Sequence, residues 1–214
     1  MMHQEDMDRT LLSARKAYRF LFEYQTRIKD LAHFISTKYD FKEYFGGYPK
    51  FSNASPGETK GSLKNWAWDW LNLYFHEFNF GSKKIDNNTK IYFSVFILND
   101  DGYFQACQKE QRNVGRVSPN KFEKPENSNS KLIFVVGLNC WTGKAYFSDI
   151  NWCNQRFTIE EKGIHEDENG KMFYKTYPLE NFFEENNAIV QLADFERECQ
   201  AIGIPFKQIK MEIK

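Results

Sequence analysis

The stretch KIYFSVFILNDDGYFQACQK, Lys90 to Lys109, decides how the rest of the chain must fold. From Ile91 to Leu98 nearly every side chain is apolar, with only Ser94 polar. Because successive side chains of a strand point to opposite faces of a sheet, this strand must be covered on both faces. The pair Asp101-Gly102 is typical of a tight hairpin turn, which predicts that Tyr103 to Lys109 return as an antiparallel strand.

Composition predicts a folded protein whose core is rich in aromatic rings. Of the 214 residues, 41% are hydrophobic and 17% are aromatic, with 21 Phe and 11 Tyr. A chain of this length buries a core without help from metals or disulfides. We therefore expect one domain over residues 1–214, with the breaker-rich loops at about 39–62 and 110–130 mobile.

Charge and cysteine usage limit the functional classes. Lys plus Arg equals Asp plus Glu at 29 each, whereas proteins that bind a phosphate backbone usually carry a basic excess. No stretch of about 20 apolar residues suggests a membrane span, and the N-terminal MMHQEDMDR lacks the pattern of a signal peptide. The four cysteines are widely spaced, so we expect reduced thiols and a cytoplasmic protein.

Two helices are predicted, one near each end of the chain. Apolar residues recur at steps of three and four between Asp6 and Lys38, broken only at Gln25, and they are Met7, Leu11, Ala14, Tyr18, Leu21, Ile28, Leu31 and Ile35. Such a helix would be nearly 50 Å long at about 1.5 Å per residue, so we expect one end to protrude or to serve a partner. A second helix is predicted from Pro178 to about Ala201.

The remaining segments, which are apolar or alternate between polar and apolar residues, predict strands joined mostly by hairpins. They are Lys131 to Leu138, Ala145 to Ile150, Arg156 to His165 and Lys171 to Tyr177, with a hairpin turn at 167–170 and a further turn at Gly81 to Thr89. Together with the helices, these runs predict an α+β domain with a mainly antiparallel sheet of about six strands. Asn65 to Phe80 is open to helix or strand, with a lean toward helix for Leu63 to Tyr74 and toward an extended conformation for His76 to Phe80.

Two groups of residues are candidate binding sites. If Asn65 to Tyr74 is helical, Trp66, Trp68 and Trp70 cannot share one face, so at least one ring is expected at the surface as a binding anchor. We expect Trp68 to be that anchor and Trp70 a core ring, and complete burial of the run is the competing interpretation. The second group, Arg112, Arg116, Lys121 and Lys124, lies in the loop after the predicted hairpin and could clamp a nucleic acid.

The sequence contains no motif that specifies a reaction. His76-Glu77 lacks a second His one helical turn later, and the Cys140, Cys153 and His165 spacing is unlike a zinc site, so no metal and no cofactor are assigned. Phosphate-binding and nucleophile-elbow glycine patterns are missing as well. A nuclease-like set of carboxylates plus Lys is only partly present, in Asp100 or Asp101 with Lys109 and in Asp149 with Glu160 and Lys162.

Charge balance, aromatic excess and missing motifs together predict a non-catalytic binding protein, of a prokaryote or its mobile elements, that acts through protein–protein contacts. The alternative is a metal-dependent, nuclease-like enzyme that uses the basic loop 112–124 on nucleic acid.

Overall fold

A computed structural model describes residues 4–44, 47–49, 74–109, 119–140, 160–168 and 170–208 of the chain. The helices are α1 (Gln4–Lys38), α2 (Gly102–Lys109) and α3 (Glu185–Ala201). The strands are β1 (Gly47–Pro49), β2 (Phe75–Lys84), β3 (Lys90–Leu98), β4 (Lys131–Leu138), β5 (Lys162–Glu166) and β6 (Lys171–Pro178). Short 3-10 turns occur at Pro119–Lys121, Pro125–Asn127 and Leu179–Phe182.

The strands form one antiparallel sheet in the order β1-β2-β3-β4-β6-β5. Within the described residues, five strands have five or more residues, and the three-residue β1 pairs at one edge. The predicted α+β domain with a mainly antiparallel sheet, a long N-terminal helix and a helix near the C-terminus is therefore confirmed.

The centre of the sheet is buried on both faces, as the pattern of β3 predicted. Val95 in β3 and Val136 in β4 face a core shared with α1 and α3. Phe96 and Ile133 face a second core that contains α2. The first core is largely aromatic, and the Phe93 ring in β3 lies 4.9 to 6.2 Å from the rings of Tyr39, Phe41, Phe80, Phe134 and Phe206.

The predicted hairpin at Asp101-Gly102 is wrong, because residues 102–109 form α2 rather than a returning strand. Asp101 begins the helix, since its carbonyl accepts the Gln105 N–H (3.0 Å) and its Oδ1 accepts the Gln105 side-chain amide (2.7 Å). Gly102 does not have a positive φ. A Cβ there would lie 3.1 Å from the Glu123 carbonyl oxygen, so the glycine serves close packing of the following loop.

The Asp101 carboxylate also joins α2 to the start of β4. It accepts the Asn129 N–H (2.8 Å) and pairs with Lys131 Nζ (2.8 Å), while only 2% of the residue is exposed. Burial works against ionisation of Asp101, but the hydrogen bonds from Lys131, Asn129 and Gln105 outweigh it and hold the pKa below its ordinary value. The Asp101-Gly102 pair therefore lies at the start of a helix, and tertiary contacts of Asp101 stabilise that start.

The turn predicted at Gly81 to Thr89 is wrong in its first half, because β2 continues to Lys84. A bulge between Asn79 and Ser82 lets the strand continue: Gly81 has φ 77° and its N–H donates to Asn79 Oδ1 (2.7 Å). The tight turn lies later, where the Ile85 N–H donates to the Thr89 carbonyl (2.9 Å). The extended conformation predicted for His76 to Phe80 is confirmed.

The predicted hairpin at 167–170 is confirmed by the β5–β6 pairing, in which the Asp167 N–H donates to the Gly170 carbonyl (3.0 Å). Pro178 ends β6 instead of starting a helix, and α3 begins at Glu185 after a 3-10 turn. At the other end, Gly203 with φ 82° follows α3 as predicted. The strand predicted at Ala145 to Ile150 lies outside the described residues.

An ion-pair network holds α3 against the outer strands. Lys175 in β6 contacts Asp194 and lies 3.1 Å from Glu198, which also pairs with Lys162 of β5 at 3.0 Å. The Tyr177 hydroxyl donates to Asp194 Oδ2 (2.8 Å). These contacts hold α3 along β6, where the buried side chains of α3 form part of the first core.

Part of the loop predicted to be mobile, residues 119–130, packs against α2 in the structure. The Glu123 N–H donates to the Gly102 carbonyl (3.2 Å), and the Phe122 ring lies 5.4 Å from the Tyr103 ring. Residues 110–118 lie outside the described part, and mobility of this loop stays a prediction. Within the described residues, none of the helices combines the length and the apolar character that spanning a bilayer requires.

Replacement of Val95 by Asp should abolish cooperative unfolding. The side chain is fully buried, and an unpaired charge there costs several kcal/mol, comparable with the whole stability of a domain. Ile164→Asp in β5 is the matched control, since Ile164 is 49% exposed and should tolerate the charge. Thermal denaturation followed by circular dichroism separates the two, and a normally melting Val95→Asp variant would contradict the buried position of β3.

Replacement of Asp101 by Asn should destabilise the fold by about 2 to 3 kcal/mol, because bonds to a charged acceptor are lost. The folded-state pKa of Asp101 is lowered, so its contribution is complete above the unfolded value of about 3.9 and is lost as pH falls through the folded pKa. Urea unfolding at several pH values should show a constant difference between wild type and variant above about pH 5 that shrinks below about pH 4. A difference independent of pH would rule out the ionised carboxylate as its source.

Candidate functional site

The N-terminal half of α1 projects from the domain, and every residue from Glu5 to Phe20 is exposed. Large apolar side chains are among them: Tyr18 is 75% exposed, and Phe20, with Phe22 just beyond, is similarly open. Met7, Leu11 and Leu12 are also exposed. Soluble proteins rarely place so many large apolar side chains on one exposed segment unless it meets a partner.

The same apolar line continues into the core farther along the helix. Steps of four and three lead from Met7 through Leu11, Ala14, Tyr18 and Leu21 to Gln25, and then to Ile28, Ala32 and Ile35. The last three are buried in the first core, whereas the positions up to Tyr18 face solvent. This 3.5-residue spacing is that of a coiled-coil seam. We call its exposed part, residues 7, 11, 14 and 18, the open seam.

Contacts in the C-terminal half hold α1 in a fixed direction. The Tyr24 hydroxyl donates to Asn99 Oδ1 just after β3, and Ile28 is 1% exposed. The Tyr39 hydroxyl, just after the helix, donates to the Leu192 carbonyl of α3 (2.9 Å). Burial raises the pKa of Tyr24 to about 12, so this hydroxyl stays protonated and donating at neutral pH. The exposed half therefore extends from a rigidly seated helix.

Charges on the exposed half are segregated along the axis. Glu5, Asp6 and Asp8 occupy the first turns, where carboxylates suit the positive end of the helix dipole. Basic residues follow, and they are Arg9, Arg15, Lys16 and Arg19. The exposed half thus has an acidic end and a basic middle beside its apolar seam.

The structure describes two of the four predicted basic loop residues, Lys121 and Lys124, and both are exposed. Glu123 and Glu126 lie among them, and Glu123 pairs with Lys109 of α2. The hydrogen bond from Lys109, followed by that from Asn127, lowers the pKa of Glu123 to about 2. Arg112 and Arg116 lie outside the described residues, so the nucleic-acid alternative stays a prediction.

The residues considered for nuclease-like chemistry have other contacts. Lys162 pairs with Glu198, and the Glu160 carboxylate accepts the Tyr174 hydroxyl (2.9 Å), while Asp149 lies outside the described residues. Asp101 and Lys109 are engaged at the two ends of α2, as described above. Within the part of the chain that the structure describes, no group of three or more His, Cys, Asp or Glu is placed to hold a metal ion.

The predicted tryptophan surface, Trp66, Trp68 and Trp70, lies outside the described residues, and its role stays a prediction. The open seam, in contrast, consists of residues that the sequence had assigned to the apolar face of the first helix. Periodicity alone does not show which part of such a face meets the core. Only the length of the helix indicated that one end would project.

Sequence reasoning missed a buried polar pair on the second face of the sheet. The Ser94 hydroxyl donates to Glu77 Oε1 (2.8 Å), and the two residues are 0% and 2% exposed. Ser94 was visible as the one polar residue of its strand, but Glu77 lies in a segment whose periodicity was ambiguous. A buried carboxylate that accepts a hydroxyl is commonly part of a structural polar network.

Comparison with known protein families yields a match over most of the chain. A family model described as PM0109 matches residues 4–202, from the first residue of α1 to just beyond α3. No curated protein and no solved structure matches the chain significantly. The matched region includes both the open seam and the core against which α1 is anchored.

Truncation of apolar side chains along α1 should destabilise the protein strongly in the buried half of the helix and hardly at all in the exposed half. Ile28→Ala removes a buried side chain and should cost about 2 to 5 kcal/mol of unfolding free energy. Leu11→Ala alters an exposed helical position and should change stability by less than about 0.5 kcal/mol. Urea denaturation of both variants in dilute solution provides the measurement. Equal losses for the two would mean that the N-terminal half is packed against the domain.

Proposed function

The chain belongs to the PM0109 family, and we propose that it is a cytoplasmic, non-catalytic protein that binds another polypeptide through the open seam of α1. The occupant of the seam is an amphipathic helix. The observation that carries this proposal is the full exposure of residues 5–20 with a coiled-coil pattern of apolar side chains.

The apolar side chains of the open seam gain free energy of association when a partner removes them from water. Each square ångström of apolar surface removed from water contributes about 25 cal/mol, so burial of several such side chains favours association by several kcal/mol before entropic costs. Tyr18 is an effective anchor, because its ring buries a large area with only two rotatable bonds and its hydroxyl stays at the rim.

Preorganisation supports the same proposal. A free helix of 16 residues is marginal in water, and a disordered binding segment must be ordered when it binds. Here the buried residues Ile28, Ala32 and Ile35 anchor the helix, so its first half extends an already formed element. The entropic cost of binding is correspondingly smaller.

The charged groups support binding more than catalysis. The carboxylates and lysines that could form a nuclease-like set stabilise α2 and α3 through the ion pairs given above. Arg15 of α1, in contrast, flanks the open seam, where a charge of this kind influences the choice and the direction of a helical partner.

Photocrosslinking in living cells tests the proposal directly. A photoreactive amino acid at position 11 or 18 should give a discrete crosslinked polypeptide, because both positions lie on the open seam. Positions 9 and 16 are matched controls, since Arg9 and Lys16 are exposed on the opposite side of the same turns and should give little product. Mass spectrometry identifies the crosslinked polypeptide. Equal yields from the two faces, or no product from positions 11 and 18, would overturn the proposal.

A further inference from the structure

The open seam has the length and spacing of a short two-stranded coiled coil. It spans about three helical turns, with Leu11 and Tyr18 equivalent to one another and Met7 and Ala14 equivalent to one another in the seven-residue repeat. The positions farthest from the seam in each repeat are Arg9, Lys16 and Glu23, all charged and exposed. A single facing helix therefore suffices to cover the apolar line.

We propose that the facing helix is the same segment of a second copy of this chain, running antiparallel, with the two-fold axis between Leu12 and Ser13. This inference rests on the proposed function and names the partner of the same seam. The antiparallel arrangement is supported by the order of side-chain sizes and charges between Glu5 and Phe20. This order complements that of a second copy of the segment running in the opposite direction.

Side-chain sizes match in this arrangement. Leu11 of one copy faces Ala14 of the other, and Met7 faces Tyr18, so each layer of the interface combines a large side chain with a smaller or more flexible one. Such pairs fill the space between two helices without voids or overlap. In a parallel pair, Ala14 would face Ala14 and Tyr18 would face Tyr18, giving one underfilled layer and one overfilled layer.

Charges favour the same direction. Asp8 and Arg15 flank the seam on the same side, so in the antiparallel pair Asp8 of each copy lies beside Arg15 of the other, and this contact occurs twice by symmetry. The acidic first turns also meet the basic turns that follow. A parallel pair would place acidic turns beside acidic turns and basic turns beside basic turns, which is unfavourable.

The arrangement also separates the two globular domains. The overlapping segments are about 24 Å long, at about 1.5 Å per residue. Each domain is joined to the end of its helix beyond residue 20, so antiparallel helices carry their domains at opposite ends of the pair. The domains of parallel helices would lie side by side at one end.

Crosslinking between two variants that each carry one added cysteine tests the direction. Met7→Cys and Tyr18→Cys proteins are mixed and treated with a short bismaleimide, with the unaltered protein as the background control for its own cysteines. Peptide mass spectrometry should find position 7 joined to position 18 in excess over 7 joined to 7 and 18 joined to 18. Predominance of the like pairs, or no product above background, would overturn the proposal.

Charge reversal tests the complementarity independently. Sedimentation equilibrium from about 1 to about 200 µM should show a monomer–dimer equilibrium for the unaltered protein. Asp8→Arg or Arg15→Asp alone should raise the dissociation constant about tenfold, because two attractive contacts become repulsive. The double variant should restore most of the affinity, and it should unfold normally like the single variants. No dimer at any concentration, or no restoration, overturns the antiparallel pair.

The two proposals fail in distinguishable ways. A monomeric protein that still gives crosslinked products from positions 11 and 18 in cells would disprove self-association and leave binding to a different polypeptide in place. Loss of both the dimer and the face-specific crosslinks would disprove the proposed function itself.

Discussion

The double-sided burial of β3 is the constraint on which the rest of the structure depends. With Phe93 and Val95 on one face and Phe96 and Leu98 on the other, the strand cannot lie at the surface on either side. The two long helices cover the first face, and α2 contributes to covering the second. The aromatic contacts of Phe93 then determine where the end of α1 and the segment after α3 must pack.

That constraint also explains why α1 has two different halves. The helix packs against this face of the sheet from about Tyr24 onward, where Ile28, Ala32 and Ile35 enter the core. The helix continues in the other direction because its sequence keeps good helix formers and no Pro or Gly. One part of the apolar line on α1 is therefore buried in the core, and the other part is exposed to water. The exposed part is available to bind a partner.

The charged groups are also arranged differently in the domain and on the exposed half of α1. Around α2 and α3 they form close pairs that hold elements together, as with Asp101 and Lys131 or Lys175 and Glu198. On the exposed half of α1 they are arranged along the axis by sign instead. Ion pairs within the domain add to its stability, whereas segregated charges on a projecting helix influence which partner approaches and in which direction.

The sequence by itself determined the elements with strong periodicity: the long first helix, the buried strands β3 and β4, and the β5–β6 hairpin. It did not determine α2, because an Asp-Gly pair suits a hairpin turn and a helix start equally, and the contacts of Asp101 with Asn129 and Lys131 join residues distant in sequence. It also missed the Glu77–Ser94 pair, which depends on the register between two strands. For the candidate site, periodicity identified the apolar line of α1, but only the tertiary structure decided that the line is buried from Ile28 onward and open before Leu21, since the extent of a core is set by the sheet that it covers.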